Sequence, residues 1–179
     1  MEHKGTVELQ TERLILRRIT EQDVPFAFKN WCNDERVTKF LTWQPHGNID
    51  VTQAVLREWI KEYSRSNFYQ WAIVPKDLGE VIGTISVVRV NDEKEQLDMG
   101  YCIGYEWWHK GYTSEALKRV IDFLFAEVKP QKIVACHATE NPNSGKVMQK
   151  AGMQYERTMI GAGHCNKGQI DVVVYSIEK

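Results

Sequence analysis

Apolar residues along the chain recur with two periods, and the places where the period changes mark its elements. Leu14-Ile15-Leu16 is a short apolar run after polar residues and predicts a first strand. From Thr20 to Trp31 the period is helical, with Val24, Phe28 and Trp31 in phase and Pro25 tolerable in a first turn. Trp43 to Asp50 holds Pro45 and Gly47 and reads as a loop. A second amphipathic helix follows, with Val51, Val55, Leu56, Trp59, Ile60 and Tyr63 on one stripe. Two strands, Tyr69 to Pro75 and Val81 to Val90, form a hairpin through Lys76-Asp77-Leu78-Gly79. A charged loop from Asn91 to Gln96 leads into a strand from Leu97 to Gly104. Tyr112 to Val128 has the broadest buried helical face, and Pro130 marks its end. Lys132 to Ala138 is a compact strand. Asn141-Pro142 opens a short helix that Gly152 closes. Strands near Gln154 to Ile160 and Gln169 to Ile177 meet at Asn166-Lys167-Gly168. The order predicts one mixed α/β domain spanning residues 1–179.

Composition narrows the class. Hydrophobic residues at 42% and charged residues at 26% suit a folded chain with a sizeable core. With 23 basic and 24 acidic residues, the balance argues against broad nucleic-acid binding. Cys32, Cys102, Cys136 and Cys165 lie far apart without a C-x-x-C pair, which fits idle thiols in a reducing compartment. No stretch approaches a signal peptide or a membrane span, so a soluble cytoplasmic protein is expected.

Candidate chemistry lies first in LDMGYCIGYEWWHKGYTSEAL. A strand feeds a helix through a loop with a tight glycine, which presents free N–H groups at the positive end of the helix dipole. That is an anion site fit for a phosphate or pyrophosphate. Gly111 lets the backbone approach the anion, and His109, Lys110, Thr113 and Ser114 add donors. The plainer reading is a strand-to-helix connection capped by Thr113 or Ser114. A Walker loop is excluded because Lys110 precedes Gly111, and a dinucleotide fingerprint because Gly100, Gly104 and Gly111 are too widely spaced. No metal site is expected, as His109 lacks a partner at ligand spacing and His164-Cys165 is adjacent. Ser144 falls in the first turn of the helix opened by Asn141. There its hydroxyl can serve a leaving thiolate or simply satisfy orphan backbone groups.

Taken together, these segments resemble the GNAT superfamily of N-acetyltransferases, in its Rim-type branch that modifies ribosomal-protein amino termini. The resemblance runs from Thr11-Glu12-Arg13-Leu14-Ile15-Leu16-Arg17 through Met99-Gly100-Tyr101, Ile103-Gly104, Lys110-Gly111-Tyr112 and Ser114-Glu115-Ala116. It continues over Asn141-Pro142-Asn143-Ser144 and Lys150-Ala151-Gly152-Met153 to the final strand from Val172 to Ser176. It implies a twisted mixed sheet of about seven strands flanked by about four helices, with the fourth and fifth strands splayed to admit pantetheine. It implies acetyl-CoA as co-substrate, with Tyr101, Cys102 and Ile103 pairing with the arm and His109, Lys110, Gly111, Tyr112 and Thr113 around the pyrophosphate. Asn141 matches a coenzyme-contacting asparagine, and Ser144 the proposed acid toward the thiolate. Trp108 and Thr113 depart from the superfamily's loop pattern at its two ends, and His109 stands where glycine often follows. Some Rim-type enzymes place a glutamate in the sixth-strand region, whereas Met159 to Gly163 holds no carboxylate.

Acetyl transfer needs a neutral amine, a polarised thioester and a protonated leaving thiol. An α-amine titrates near 8 and a thiol near 8.5, so small shifts suffice. Asp98 is the candidate base, with Glu140 and His137 behind it. The acceptor is a protein N-terminal amine, or alternatively a small amine or antibiotic. A non-catalytic acetyl-CoA sensor is the rival of a different class. Monomer and homodimer stay open, and no nucleic-acid or membrane partner is expected.

Overall fold

The computed structural model describes all 179 residues, arranged around one eight-stranded sheet in the order β1-β2-β3-β4-β5-β6-β8-β7. The strands are β1 (Leu9–Gln10), β2 (Leu14–Arg17), β3 (Gln70–Pro75), β4 (Gly83–Asn91), β5 (Gln96–Ile103), β6 (Lys132–Ala138), β7 (Gln154–Cys165) and β8 (Gly168–Glu178). Five α-helices accompany them: α1 (Val24–Ala27), α2 (Glu35–Thr38), α3 (Ile49–Glu62), α4 (Tyr112–Phe123) and α5 (Pro142–Lys150). All neighbours are antiparallel except β5 and β6. The sheet therefore has one strand more than the sequence suggests, because the two-residue β1 is visible only through its pairing with β2. Helix α2 is likewise a single turn, too short for periodicity to show.

The predicted helix from Thr20 to Trp31 is three joined pieces. A 3₁₀ turn (Glu21–Asp23) leads into α1, with Pro25 in its first turn, and a π turn (Phe28–Cys32) follows. The wide turn brings the carbonyl of Asn30 against Gly104, where a Cβ would lie 2.3 Å from it. The Asn30 amide donates to the Val81 carbonyl at 2.8 Å. A glycine is required at Gly104, and the first helical region is thereby fixed to the exit of β5.

Alternation along β5 divides the interior into two layers. Leu97, Met99 and Ile103 join a core of 24 buried residues with Ala116, Leu117, Val120 and Met148 of α4 and α5. Cys102 points the other way, against the core that Trp31, Leu56 and Ala72 build with α1 and α3. The two layers put α4 and α5 on one face of the sheet and α1 to α3 on the other.

The β5–β6 ladder runs only from Gln96↔Lys132 to Met99↔Ala135, while β6 stays paired with β8 as far as Ala138↔Val172. The last four residues of β5 thus leave β6, and the sheet opens between them. These are the fourth and fifth strands of the sequence reading.

Candidate active site

The opening carries unsatisfied backbone. The Gly104 N–H donates to the Ile82 carbonyl at 2.8 Å, and Thr84 pairs with Cys102. Antiparallel alternation therefore commits Cys102 and Gly104 to β4 and turns the backbone groups of Tyr101 and Ile103 toward the gap. The Ile103 carbonyl is taken by the Trp108 indole at 2.9 Å, which leaves both Tyr101 groups and the Ile103 N–H for a guest. Cys102, expected beside Tyr101 and Ile103, offers the gap nothing. Its backbone belongs to β4, and burial pushes its thiol up.

The loop expected to hold an anion ends at Gly111, the N-cap of α4, with φ 82° and no side-chain cap. The first N–H groups of α4 thus meet no capping side chain, and the alternative of a cap by Thr113 or Ser114 is not what forms. Thr113 is buried, and the Ser114 hydroxyl donates backward to the Gly111 carbonyl at 3.0 Å. A Cβ on Gly111 would meet only Nη2 of Arg13, at 3.4 Å, so the approach to the helix end is open. His109 adopts φ 61°, which explains why glycine often occupies this place and why histidine, tolerant of that region, can replace it.

Arg13 and Glu115 hold this loop in place. The Arg13 Nε donates to Glu115 Oε2 at 2.7 Å, its Nη1 to the Lys110 carbonyl at 3.0 Å, and its guanidinium covers the Tyr112 ring at 4.5 Å. Glu115 Oε1 accepts from the Thr11 hydroxyl at 2.5 Å and the Arg13 N–H at 3.1 Å. Burial works to raise the Glu115 pKa, but these bonds overcome it and hold the carboxyl below its ordinary value. A depressed carboxylate contributes stability above its unfolded value and loses it as pH falls through the lower folded one. Glu115→Gln should remove that part of the acid melting below pH 4.5 and raise the acetyl-CoA Kd about three- to tenfold. Thermal melts against pH and a binding titration check both.

On the α5 side, Tyr101 reaches across to Ser144. The phenol donates to the Ser144 carbonyl at 2.9 Å and lies 2.9 Å from its hydroxyl. Burial raises the Tyr101 pKa well above its ordinary value, so this phenol stays protonated. Asn141 is the N-cap of α5 by position, with its carbonyl accepting the Ser144 N–H at 3.1 Å, but its side chain makes no capping bond. The amide is left for another partner, unlike the capping role the sequence suggested. His137 stands across the gap from Tyr101, two places beyond the Met99↔Ala135 pair. Its Nδ1 donates to the Ala138 carbonyl at 2.8 Å, and its Nε2 is buried without a partner. A Cβ on Gly145 would lie 2.6 Å from that nitrogen, so the glycine makes room for the ring.

Asp98 occupies the opposite face, where its Oδ1 accepts from the Gln96 amide at 2.6 Å. Cys136 shares that face, its thiol pushed up by burial and then by Asp98. His137 is on the Ser144 face and Glu140 is bound to Lys167, whereas Asp98 lies on the α1–α3 face and accepts only from Gln96. Met159 to Gly163 contains a bulge in which Asp171 of β8 accepts the Gly161 N–H at 2.7 Å, a carboxylate that reading β7 alone misses. No three His, Cys, Asp or Glu side chains converge as metal ligands, and no helix is long and apolar enough to cross a membrane.

A glycine-capped helix start, a sheet opened beside free N–H groups and a hydroxyl pair at its far wall have the shape to take an extended, anion-bearing guest. Residues 13–154 match the family model described as the acetyltransferase (GNAT) domain. The chain is 31% identical over 171 residues to the uncharacterized N-acetyltransferase YoaA of Bacillus subtilis, covering 96% of each. It is 24% identical over 156 residues to the ribosomal protein uS5-alanine N-acetyltransferase of Escherichia coli, covering 84% of this chain and 79% of the other. Its fold matches RimL, an α-N-acetyltransferase of ribosomal protein solved with coenzyme A, at TM-score 0.85 and 18% identity over 96% and 98% of the two chains. The chain belongs to the GNAT acetyltransferase family. It is an N-acetyltransferase that uses acetyl-CoA.

Proposed function

We propose that the chain acetylates an N-terminal α-amine of a protein in the cytoplasm, acting as one acetyltransferase domain over residues 1–179. The observation that carries the site assignment is the gap between β5 and β6, with free backbone at Tyr101 and Ile103 on one side and Ser144 beyond it. Relatives named as ribosomal-protein acetyltransferases support the acceptor class, and four free cysteines support a reducing compartment.

The residues present fit the coenzyme, which supplies an acetyl group activated as a thioester. The N–H groups at the start of α4, with Lys110 and His109, would hold the pyrophosphate, and Asn141 would meet the arm. The N–H groups of Tyr101 and Ile103 would pair with the arm and polarise the carbonyl, with no reorganisation when charge develops. Ser144, at the positive end of α5 and backed by the Tyr101 phenol, would protonate the departing sulfur. Because α4, α5 and the phosphate loop fill one face of the gap, the amine would arrive from the α1–α3 face. There Asp98 would take its proton, directly or through water. Alignment of amine and thioester across one opening would supply much of the rate.

Free-thiol release with N-terminal peptides, compared with polyamines and aminoglycosides, tests the acceptor. Peptide turnover is the expected outcome, and turnover confined to small amines would replace it. Acetyl-CoA at about 100 times its Kd should add roughly 2.7 kcal/mol of stability, read as a rise in Tm. An unmoved Tm at millimolar acetyl-CoA would remove the coenzyme assignment.

A further inference from the structure

We infer that the acceptor carries an anionic group, bound by Arg65 and Arg89 in a cavity beside the gap on the α1–α3 face. This inference rests on the proposed direction of amine entry. The cavity holds about 460 Å³ and is walled by Arg65, Phe68, Gln70, Ser86, Val88 and Arg89, with no carboxylate in its lining. Arg65 is paired with Glu62 at 2.6 Å, whereas Arg89 is exposed and has no ion pair. The strand register ties the cavity to the site. Ser86 pairs with Gly100, the residue before Tyr101, and Arg89 pairs with Asp98. A Cβ on Gly100 would lie 2.7 Å from Cγ1 of Val88 and 3.9 Å from the Ser86 hydroxyl, so the cavity wall rests directly on this glycine.

Neighbouring strands are about 4.8 Å apart and residues along a strand about 3.3 Å, so the wall, offset along β4 from the opened end of β5, lies roughly 13 Å from the middle of the gap. An extended peptide covers about 3.3–3.6 Å per residue, so a side chain at the second to fourth position reaches the arginines. Phe68 and Val88 give the cavity an apolar wall for the stem of such a side chain. The ligand class is a primary amine with a carboxylate or phosphate about 10–13 Å from the nitrogen. The β4 bulge between Val87 and Arg89 matters here, because it restores Arg89 to the face of Asp98.

The test compares tetrapeptides that carry Glu, Gln or phosphoserine at the second and third positions, and 8-aminooctanoate with octylamine, the acid having its carboxylate about 10 Å from the nitrogen. The expected kcat/KM is at least about tenfold higher for the Glu peptide at low salt, and the ratio shrinks at high salt. Arg89→Ala should bring that ratio toward one, and Arg89→Glu should reverse it, with unchanged Tm and acetyl-CoA Kd showing an intact fold. Preference for the phosphoserine peptides over the Glu peptides would identify the anion as phosphate. Equal rates for the Glu, Gln and phosphoserine peptides, with no preference between the small amines, would overturn the inference and leave the acetyltransferase reading standing. Acetyl-CoA binding without turnover of any amine would overturn both.

Discussion

Gly111→Glu should abolish measurable acetyl-CoA binding while the protein still folds. The residue caps α4 with φ 82°, a region where a side chain costs about 1–2 kcal/mol. That strain alone leaves a folded protein, since the Cβ would meet only a flexible Arg13 nitrogen. The added carboxylate is the larger effect. Two unit charges about 4 Å apart repel by roughly 4 kcal/mol at an effective dielectric near 20, or about three decades in Kd. Gly111→Ala separates the contributions, since it has the strain without the charge and should weaken binding only about tenfold. Calorimetric titration of both variants, with melting curves of the free proteins, checks the ordering. Normal binding by Gly111→Glu would move the phosphate site elsewhere.

The arrangement of this loop shows what the chain discloses in one dimension. The strand–glycine–helix order around Gly111 was legible because the signals are local: an apolar alternation ends, a glycine intervenes and a helical period begins. The Arg13–Glu115 clamp was not legible, since its members lie 102 residues apart and each is an ordinary surface residue by type. Register hides in the same way. Nothing in Tyr101-Cys102-Ile103 tells which backbone groups face the gap. Only the pairing of Thr84 with Cys102 settles that Cys102 is excluded. The sequence pattern ends strand β7 near Ile160, just before Gly161 and Gly163. They form a bulge instead, closed by Asp171 and Gln169 of β8, and the strand continues to Cys165. The phenol of Tyr101 was within reach of a closer reading. Leu97, Met99, Tyr101 and Ile103 alternate onto one face, which is also the face α5 covers.

Ser144→Ala combined with Tyr101→Phe should lower kcat by about 10²–10⁴-fold and leave the acetyl-CoA Kd within about twofold. The hydroxyls lie 2.9 Å apart at the far wall of the gap, so either can deliver a proton when the other is removed. Each single variant should therefore lose less than half of the combined effect on a logarithmic scale, and the cycle should be strongly non-additive. Two independent roles would instead give losses that multiply. The coenzyme is expected to stay bound because the proposed pyrophosphate site is at α4, away from both hydroxyls. Since burial raises the Tyr101 pKa, its ionisation should not limit turnover near neutral pH, and kcat should show no fall there from loss of the phenolic proton. A phenol already ionised at neutral pH would contradict both the burial and the role. The measurement is single-turnover acetyl transfer with a confirmed acceptor, so that product release does not mask the chemistry. Full single-turnover rates in the double variant would reduce Ser144 to a helix-turn residue and Tyr101 to packing, with the leaving thiolate protonated by solvent.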